Sequence, residues 1–398
     1  MVIKHKENSS TNYDGIQDWR LFDFDSVKYI SFSDKSFKTF EITELETNCF
    51  VDFSNLEEIN VSFCHISQIE GKSFYGLRAL KKLNLSSNQI VKLDDLNTFQ
   101  GLDNLEELDM RENQLVQMDK NIFFNLNKLK SLNLYGNQMN ILSLDIFQGL
   151  ANLIELNLQA NKLSKLESNT FSHLKQLQKL YLGANELNEI SLNGFRGLEN
   201  LEELNLEENN FTLIATNMFQ HLSRLKRLDL SFNEIIRIDL NGFQGLDNLE
   251  ELNLCENKLL HLKSNSFQHL NQSKKLNLNT NQIEHIKSNV FQNLASLDEL
   301  NLEGNRLNKI KSNVFKHLKQ LRLLNIKENR LDHIDSKGFL GLGNLCELHL
   351  QKNKFTNIEG NSFQYLSNLK KLYLEKNQIN HVDSNGFRCV RRIIYGTK

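Results

Sequence analysis

Thirteen asparagines stand in step along the chain: Asn88, Asn113, Asn137, Asn161, Asn185, Asn209, Asn233, Asn257, Asn281, Asn305, Asn329, Asn353 and Asn377. The first interval is 25 residues and every later one is 24. A period of this size marks stacked units, none of which can bury its apolar side alone. Such a chain grows turn by turn and offers one long surface rather than an enclosed pocket. Function is therefore sought on faces, not in clefts.

Each asparagine sits in a frame that repeats with it. Leu129, Leu132, Leu134, Asn137, Met139, Leu142 and Phe147 are followed by Leu153, Leu156, Leu158, Asn161, Leu163, Leu166 and Phe171. The alternating leucines predict a short strand with its apolar side inward. After the strand the chain must turn, and a buried amide can donate to and accept from the backbone groups left without ladder partners. Cys64 takes the asparagine's place after Ile59 and Val61. A phenylalanine follows ten residues on, or eleven in the longer turn, from Phe74 to Phe387 without a gap. These rings predict a buried aromatic spine on the side opposite the strands.

The pattern L-x-x-L-x-L-x-x-N-x-L is similar to the leucine-rich repeat. Over roughly residues 27 to 387 the chain resembles animal leucine-rich repeat proteins of the 24-residue, extracellular type. That resemblance implies an α/β repeat solenoid. It would be a horseshoe with a concave parallel β-sheet and short turns or 3-10 segments on the convex side. The stretch VKYISFSDKSFKTF, residues 27–40, is similar to the capping start of arthropod secreted repeat proteins, including Toll- and chaoptin-like ectodomains. The organisation expected is a polar segment over 1–26, a capping strand and degenerate repeat over 27–58, an array of about 14 turns over 59–387, and a tail or partial cap over 388–398. In the capping region Val27 to Phe32 reads as a strand, and Phe37, Phe40, Ile42, Leu45 and Phe50 fit a degenerate turn. Ile393, Ile394 and Tyr395 either cover the end of the stack or belong to a longer chain. The cysteine-paired caps of many family members are absent, Ser273 replaces one leucine, and there is no proline.

A longer period runs inside the shorter one. The residue before each strand leucine alternates in charge: Glu58, Lys82, Glu107, Ser131, Glu155, Lys179, Glu203, Arg227, Glu251, Lys275, Glu299, Leu323, Glu347, Lys371. Neighbouring strands lie ~4.8 Å apart, so these residues are expected to pair across strands, where like charges would repel. Two residues after the spine, Gly149, Gly197 and Gly245 alternate with His173, His221 and His269. The unit of duplication is thus two turns, 48 residues.

Composition narrows the function. The net charge is −2 with both signs interspersed and no basic stripe evident, so nucleic acid is not expected as a partner. No run is long and apolar enough to cross a bilayer. The first 26 residues carry no hydrophobic leader, which taken at face value keeps the chain in the cytoplasm; the resemblance instead implies an extracellular or secreted location. Of five cysteines, Cys49 and Cys64 are near enough in sequence to pair in an oxidising compartment, and separate thiols are the favoured alternative. Five N-x-S/T sequons, at Asn8, Asn60, Asn84, Asn210 and Asn271, do not establish glycosylation. No catalytic motif spacing occurs, and no cofactor or metal is expected. His173, His221, His269 and His317 are two turns apart, ~10 Å, too far to share a metal ion. His261 and His285 occupy equivalent positions on adjacent turns and make at most a weak surface site.

What remains is the concave sheet, an arc of about 65 Å, long enough for a standard protein interface. One row of it is short and polar, from Asn60 and Asn84 to Asn301 and Asn325, and its breaks are the clue. Arg111, Tyr135, Lys179, Tyr181 and Glu207 form one candidate patch; His349 and Tyr373 form another. Tyrosine and arginine are over-represented at binding hot spots. The expectation is a non-catalytic module that binds a protein partner on the concave face. The setting is extracellular recognition, adhesion or innate-immune signalling; the alternative is an intracellular scaffold or adaptor.

Overall fold

The computed structural model describes residues 27–31 and 43–387, with the strands Val2–His5, Ser10–Asn12 and Ile393–Ile394 as backbone. Asn8, Phe32, Phe37, Phe40, Ile42, Cys389 and Tyr395 lie outside the described residues. The chain divides into two compact units, Met1–Leu201 and Glu202–Lys398.

In the first unit, Val27–Ser31, Glu58–Asn60, Lys82–Asn84, Glu107–Asp109, Ser131–Asn133, Glu155–Asn157 and Lys179–Tyr181 pair side by side in parallel. Val2–His5 adds to Val27–Ser31 in the antiparallel sense and pairs in turn with Ser10–Asn12. In the second unit, Glu203–Asn205 begins a run through Arg227–Asp229, Glu251–Asn253, Lys275–Asn277, Glu299–Asn301, Leu323–Asn325, Glu347–His349 and Lys371–Tyr373. Ile393–Ile394 pairs in parallel with Leu372–Tyr373. Isoleucine or leucine stands at every central position, as Ile30 opposite Ile59, Leu83 opposite Leu108 and Leu276 opposite Leu300. These central side chains are no more than 2 % exposed. A register slip of one residue would turn all of them to solvent, so burial fixes the pairing.

The asparagine ladder forms as expected. Asn161 Nδ2 donates to Leu134 O of the previous turn at 3.0 Å and to Leu158 O of its own at 3.1 Å. Its Oδ1 accepts from Met139 N at 3.0 Å. Asn281 repeats this with Leu254, Leu278 and Leu259. One side chain thus satisfies several buried backbone groups that the turn strips of partners. The residue just before each asparagine adopts positive φ, from Ser87 at 53° to Phe232 at 52°. That conformation aims its amide at the next turn, as Phe232 N to Cys255 O at 3.0 Å.

The phenylalanines stack face to face. Centroids are 6.3 Å apart for Phe74 and Phe99, and 6.2 Å for Phe291 and Phe315. The column begins one turn earlier than the sequence pattern indicates, since Phe50 stacks on Phe74 at 6.1 Å. Ser273 is buried where a leucine is usual, and its hydroxyl donates to Leu249 O at 3.0 Å, so no polar group is left unsatisfied. Between asparagine and phenylalanine the chain forms short second ladders that periodicity did not reveal, such as Lys92–Leu93 with Gln117–Met118 and Lys309–Ile310 with His333–Ile334. The return path is otherwise built of turns, and no helix forms among the described residues.

The two-turn period has a packing cause. Gly197 has φ 99°, and a Cβ there would lie 2.7 Å from Ser172 Cα. On the alternate turn His173 reaches back instead, with Nε2 3.1 Å from Asp145 Oδ1. The close backbone approach recurs at Gly149, Gly245 and Gly341, and His269 Nε2 lies 3.3 Å from Asn241 Oδ1 of the preceding turn.

Candidate functional site

The polar row on the sheet face is first of all structural. In the first unit the Oδ1 atoms of Asn60, Asn84, Asp109, Asn133 and Asn157 accept from the backbone N–H two residues on, at 2.9 to 3.1 Å. Asn205, Asp229, Asn253, Asn277, Asn301 and Asn325 do the same in the second unit. A short carbonyl at this position caps the strand as it leaves the ladder. Tyr181, His349 and Tyr373 occupy the same row with rings that have no such carbonyl. The sequence marked these positions as breaks; it did not disclose what the row does elsewhere.

The two aromatic residues of the C-terminal patch are in contact. His349 and Tyr373 stack with centroids 4.4 Å apart and planes 11° from parallel. Strand pairing places them directly opposite each other. His349 Nε2 is 2.9 Å from Glu347 Oε1, and Gln351 Nε2 lies 3.3 Å from His349 Nδ1. Lys371 donates to the other oxygen of Glu347 at 3.1 Å. Burial pushes the Glu347 carboxyl up, but Lys371 and His349 outweigh it and hold it below its ordinary value. The imidazole is thereby fixed at both nitrogens and on one face.

The N-terminal patch is looser. Arg111 and Tyr135 occupy equivalent positions two residues past the paired strands Glu107–Asp109 and Ser131–Asn133. Arg111 Nε lies 3.4 Å from Asp109 Oδ2, and Tyr135 is 39 % exposed. Burial raises the Asp109 carboxyl, against the opposing amide and guanidinium of Arg111. Tyr181 is two strands beyond Tyr135, with the Glu155–Asn157 strand between. Lys179 is committed to Glu155 at 3.3 Å. Glu207 belongs to the second unit, where its Oε1 accepts from Asn205 Nδ2 at 3.0 Å.

The alternating charges pair across strands, as Lys82 with Glu107 at 2.9 Å and Arg227 with Glu203 at 2.6 Å. A second column, one residue earlier, does likewise and had escaped the sequence pattern. Glu57 meets Lys81 at 2.9 Å, Glu106 meets Lys130 at 2.7 Å, and Glu250 meets Lys274 at 2.7 Å. Lys28 and Lys81 together hold the Glu57 carboxyl down at about 2. Exposed pairs of this kind contribute ~0.2–1 kcal/mol each, and they cancel the field of the face they line.

The described cysteines, Cys49, Cys64, Cys255 and Cys346, are free thiols. Burial pushes Cys64 up to about 11. Cys49 also reaches about 11, chiefly by burial of its Sγ, which lies 3.5 Å from Ser73 O although the residue as a whole is exposed. Such thiols are poor nucleophiles at neutral pH. His261 and His285 meet as a parallel backbone bridge, and no group of three metal-ligating side chains gathers among the described residues. No helix among those residues is long and apolar enough to cross a membrane.

Two family descriptions match the chain. "Leucine rich repeat" matches residues 38–90, 54–115, 199–259 and 247–307. "BspA type Leucine rich repeat region (6 copies)" matches 95–226 and 284–395. Both describe repeat regions and neither describes an enzyme family. No curated protein matches. Among solved structures, a leucine-rich repeat protein of Leptospira interrogans is similar at 25% identity and TM-score 0.71, over 94% of this chain and 97% of that one. Toll in the Toll–Spatzle complex of Drosophila is similar at 22% identity and TM-score 0.74, over 90% of this chain. The match spans 54% of the Toll chain, about half its length. An internalin of Listeria monocytogenes is similar at 25% identity and TM-score 0.57, over 77% of this chain and 84% of that one.

Proposed function

We propose, from the premise that the chain belongs to the leucine-rich repeat family, that it is a non-catalytic recognition module. It binds a protein partner on the sheet face, read in the sequence as the concave one, in an extracellular setting of recognition, adhesion or innate-immune signalling. The observation that carries this reading is the aromatic replacement of capping residues at Tyr181, His349 and Tyr373. Each ring stands in place of the short side-chain carbonyl that elsewhere in the row accepts from the backbone amide two residues on, a bond worth ~1 kcal/mol. A substitution that weakens the frame and leaves a ring on the face is accounted for by what the ring touches. The stacked His349–Tyr373 pair is the stronger anchor, because its geometry is fixed before any partner arrives. Arg111, Tyr135, Lys179, Tyr181 and Glu207 are the second candidate contact set. Toll, whose fold is similar, is seen in complex with Spatzle, which supports a protein as the guest.

The test restores the row. His349→Asn with Tyr373→Asn returns the capping carbonyl, so the fold should hold or gain stability. Affinity for a partner captured from the native source should fall at least tenfold, since a buried aromatic anchor is worth about 2 kcal/mol or more. Unchanged affinity in this variant and in Tyr135→Ala with Tyr181→Asn would remove both patches from the sheet-face reading. The intracellular scaffold remains a second reading, favoured by the free thiols. It uses the same face, and fractionation of the native source separates the two.

A further inference from the structure

Away from the sheet face, one column of the second ladders reverses its charge. Six residues after each ladder asparagine, the second unit carries Ala215 and Asp239, then Lys263, Lys287 and Lys311, then Asp335, Glu359 and Asp383. At three places in the chain the acid at this position serves the backbone. Asp335 Oδ2 accepts from Ser312 N of the preceding turn at 2.9 Å, and Asp383 Oδ2 accepts from Gly360 N at 2.7 Å. Glu70 plays the same part in the first unit, accepting from Thr47 N at 2.8 Å. Three consecutive turns give up this acceptor and put a lysine in its place. The frame gains nothing from the exchange, and it sets like charges in register at the ~4.8 Å strand spacing, where they repel.

The neighbouring column adds to the charge. His261, His285, Lys309 and His333 stand two residues before it; His261 pairs with His285, and Lys309 with His333, in the backbone register. Lys263, Lys287, Lys309 and Lys311 are exposed and form no ion pair with any described residue, whereas the sheet-face lysines are mostly paired. Between each asparagine and its phenylalanine, the segments 257–267, 281–291 and 305–315 hold a single acid, Glu284. The even mixture of charges seen in the composition therefore does not extend to this flank.

We propose that His261, Lys263, His285, Lys287, Lys309 and Lys311 form a binding strip for a linear sulfated polysaccharide laid along the stacking direction of the turns. Cations repeated in one line match a chain of anionic groups better than a single anion. Among its described residues the strip carries no exposed Phe, Tyr or Trp ring, the broad platforms on which the bases of single-stranded nucleic acid stack. It also carries no exposed large apolar side chain to enter a membrane; those of the second unit are Phe232, Ile236, Leu240 and Val382, all outside these turns. Sulfate esters ask only for closely spaced positive charge.

Immobilised heparin serves as the probe, with the full chain at roughly 150 mM salt. Wild type is expected to be retained. Lys263→Glu, Lys287→Glu and Lys311→Glu together should weaken binding at least tenfold and flatten the dependence of log affinity on log salt by about three counterions. Glutamate is the type of residue this column bears elsewhere, so circular dichroism should report an unchanged fold. Should the triple reversal misfold, the same three positions changed to Gln provide the second variant, with a loss of at least threefold. Lys72→Glu, Lys120→Glu and Lys370→Glu alter net charge equally and should bind within twofold of wild type. The proposal falls if wild type is not retained, if the control triple loses as much as the strip triple, or if single-stranded RNA or anionic phospholipid vesicles displace the chain from heparin at equal charge concentration. Sheet-face variants at His349 and Tyr373 should keep heparin binding, so the two surfaces are tested apart.

Discussion

The two units share a backbone but not a flank. In the first, Leu96, Leu144 and Leu192 recur every 48 residues just ahead of the spine phenylalanine, and they are 51, 60 and 62 % exposed. In the second, Leu240 closes that series and the adjacent column turns to Lys263, Lys287 and Lys311. Beneath both, the leucines, ladder amides and stacked rings are the same. Inward residues are held by burial and hydrogen bonding, so duplication preserves them; outward residues are free to diverge. Outward regularity that lowers the energy, such as alternating charge across strands, is explained by the fold itself. Outward regularity that raises it, such as three lysines in line, is explained only by something beyond the fold.

This contrast can be attacked from the inside out. The largest effect is expected from the shared frame. Phe267→Ala removes a ring stacked on both sides, at 6.1 and 6.3 Å, and should cost about 3–5 kcal/mol in urea denaturation; a loss under about 1 kcal/mol would mean the spine is not the common support. Asn281→Ala leaves the Leu259 amide without its acceptor and removes one of the two amide donors from each of the Leu254 and Leu278 carbonyls, a penalty of about 1–3 kcal/mol. On the flank the sign reverses. The single change of Lys287 to glutamate should stabilise the chain by up to about 1 kcal/mol, by placing an acid between Lys263 and Lys311 in the column and restoring a side chain that can accept from a backbone amide. A destabilisation of that size would show that this lysine serves the frame after all. Leu144→Ser with Leu192→Ser should move stability by no more than about 0.5 kcal/mol.

The smallest effect is electrostatic. The Glu57 carboxyl, drawn from its ordinary 4.5 to about 2 by Lys28 and Lys81, favours the folded state above about pH 4.5, and this contribution is lost as pH falls toward 2. Its side chain is 39 % exposed, so screening keeps the energy to tenths of a kcal/mol. Carbon-detected NMR titration should find the Glu57 carboxyl well below its ordinary value, and Lys81→Met should move it upward.

The sequence disclosed the frame because inward positions obey a strict period. Asn161 and Phe171 are forced into place by what they bury, and both were legible. The second ladders were not, because two-residue strands such as Lys92–Leu93 are too short to show alternation. Nor was the capping task of Asn133, since a side chain that bonds its own backbone leaves no mark on spacing. The contact of His349 with Tyr373 followed from register, but their clamp on Glu347 and Lys371 required coordinates. Arg111 and Tyr135 came out adjacent, whereas Lys179 proved to be engaged by Glu155. The lysine strip stayed hidden because net charge averages over faces, and a local excess disappears in a total of −2.

The buried amides also determine how such a stack fails under load. Each one fastens its own turn to the preceding turn and to nothing farther off. Within either unit, tension applied at one end meets a single layer of these fastenings at a time. Rupture then proceeds as a zipper, each event freeing 24 residues, about 80 Å of slack. A chain built in this way yields gradually where a compact globule would give way at once.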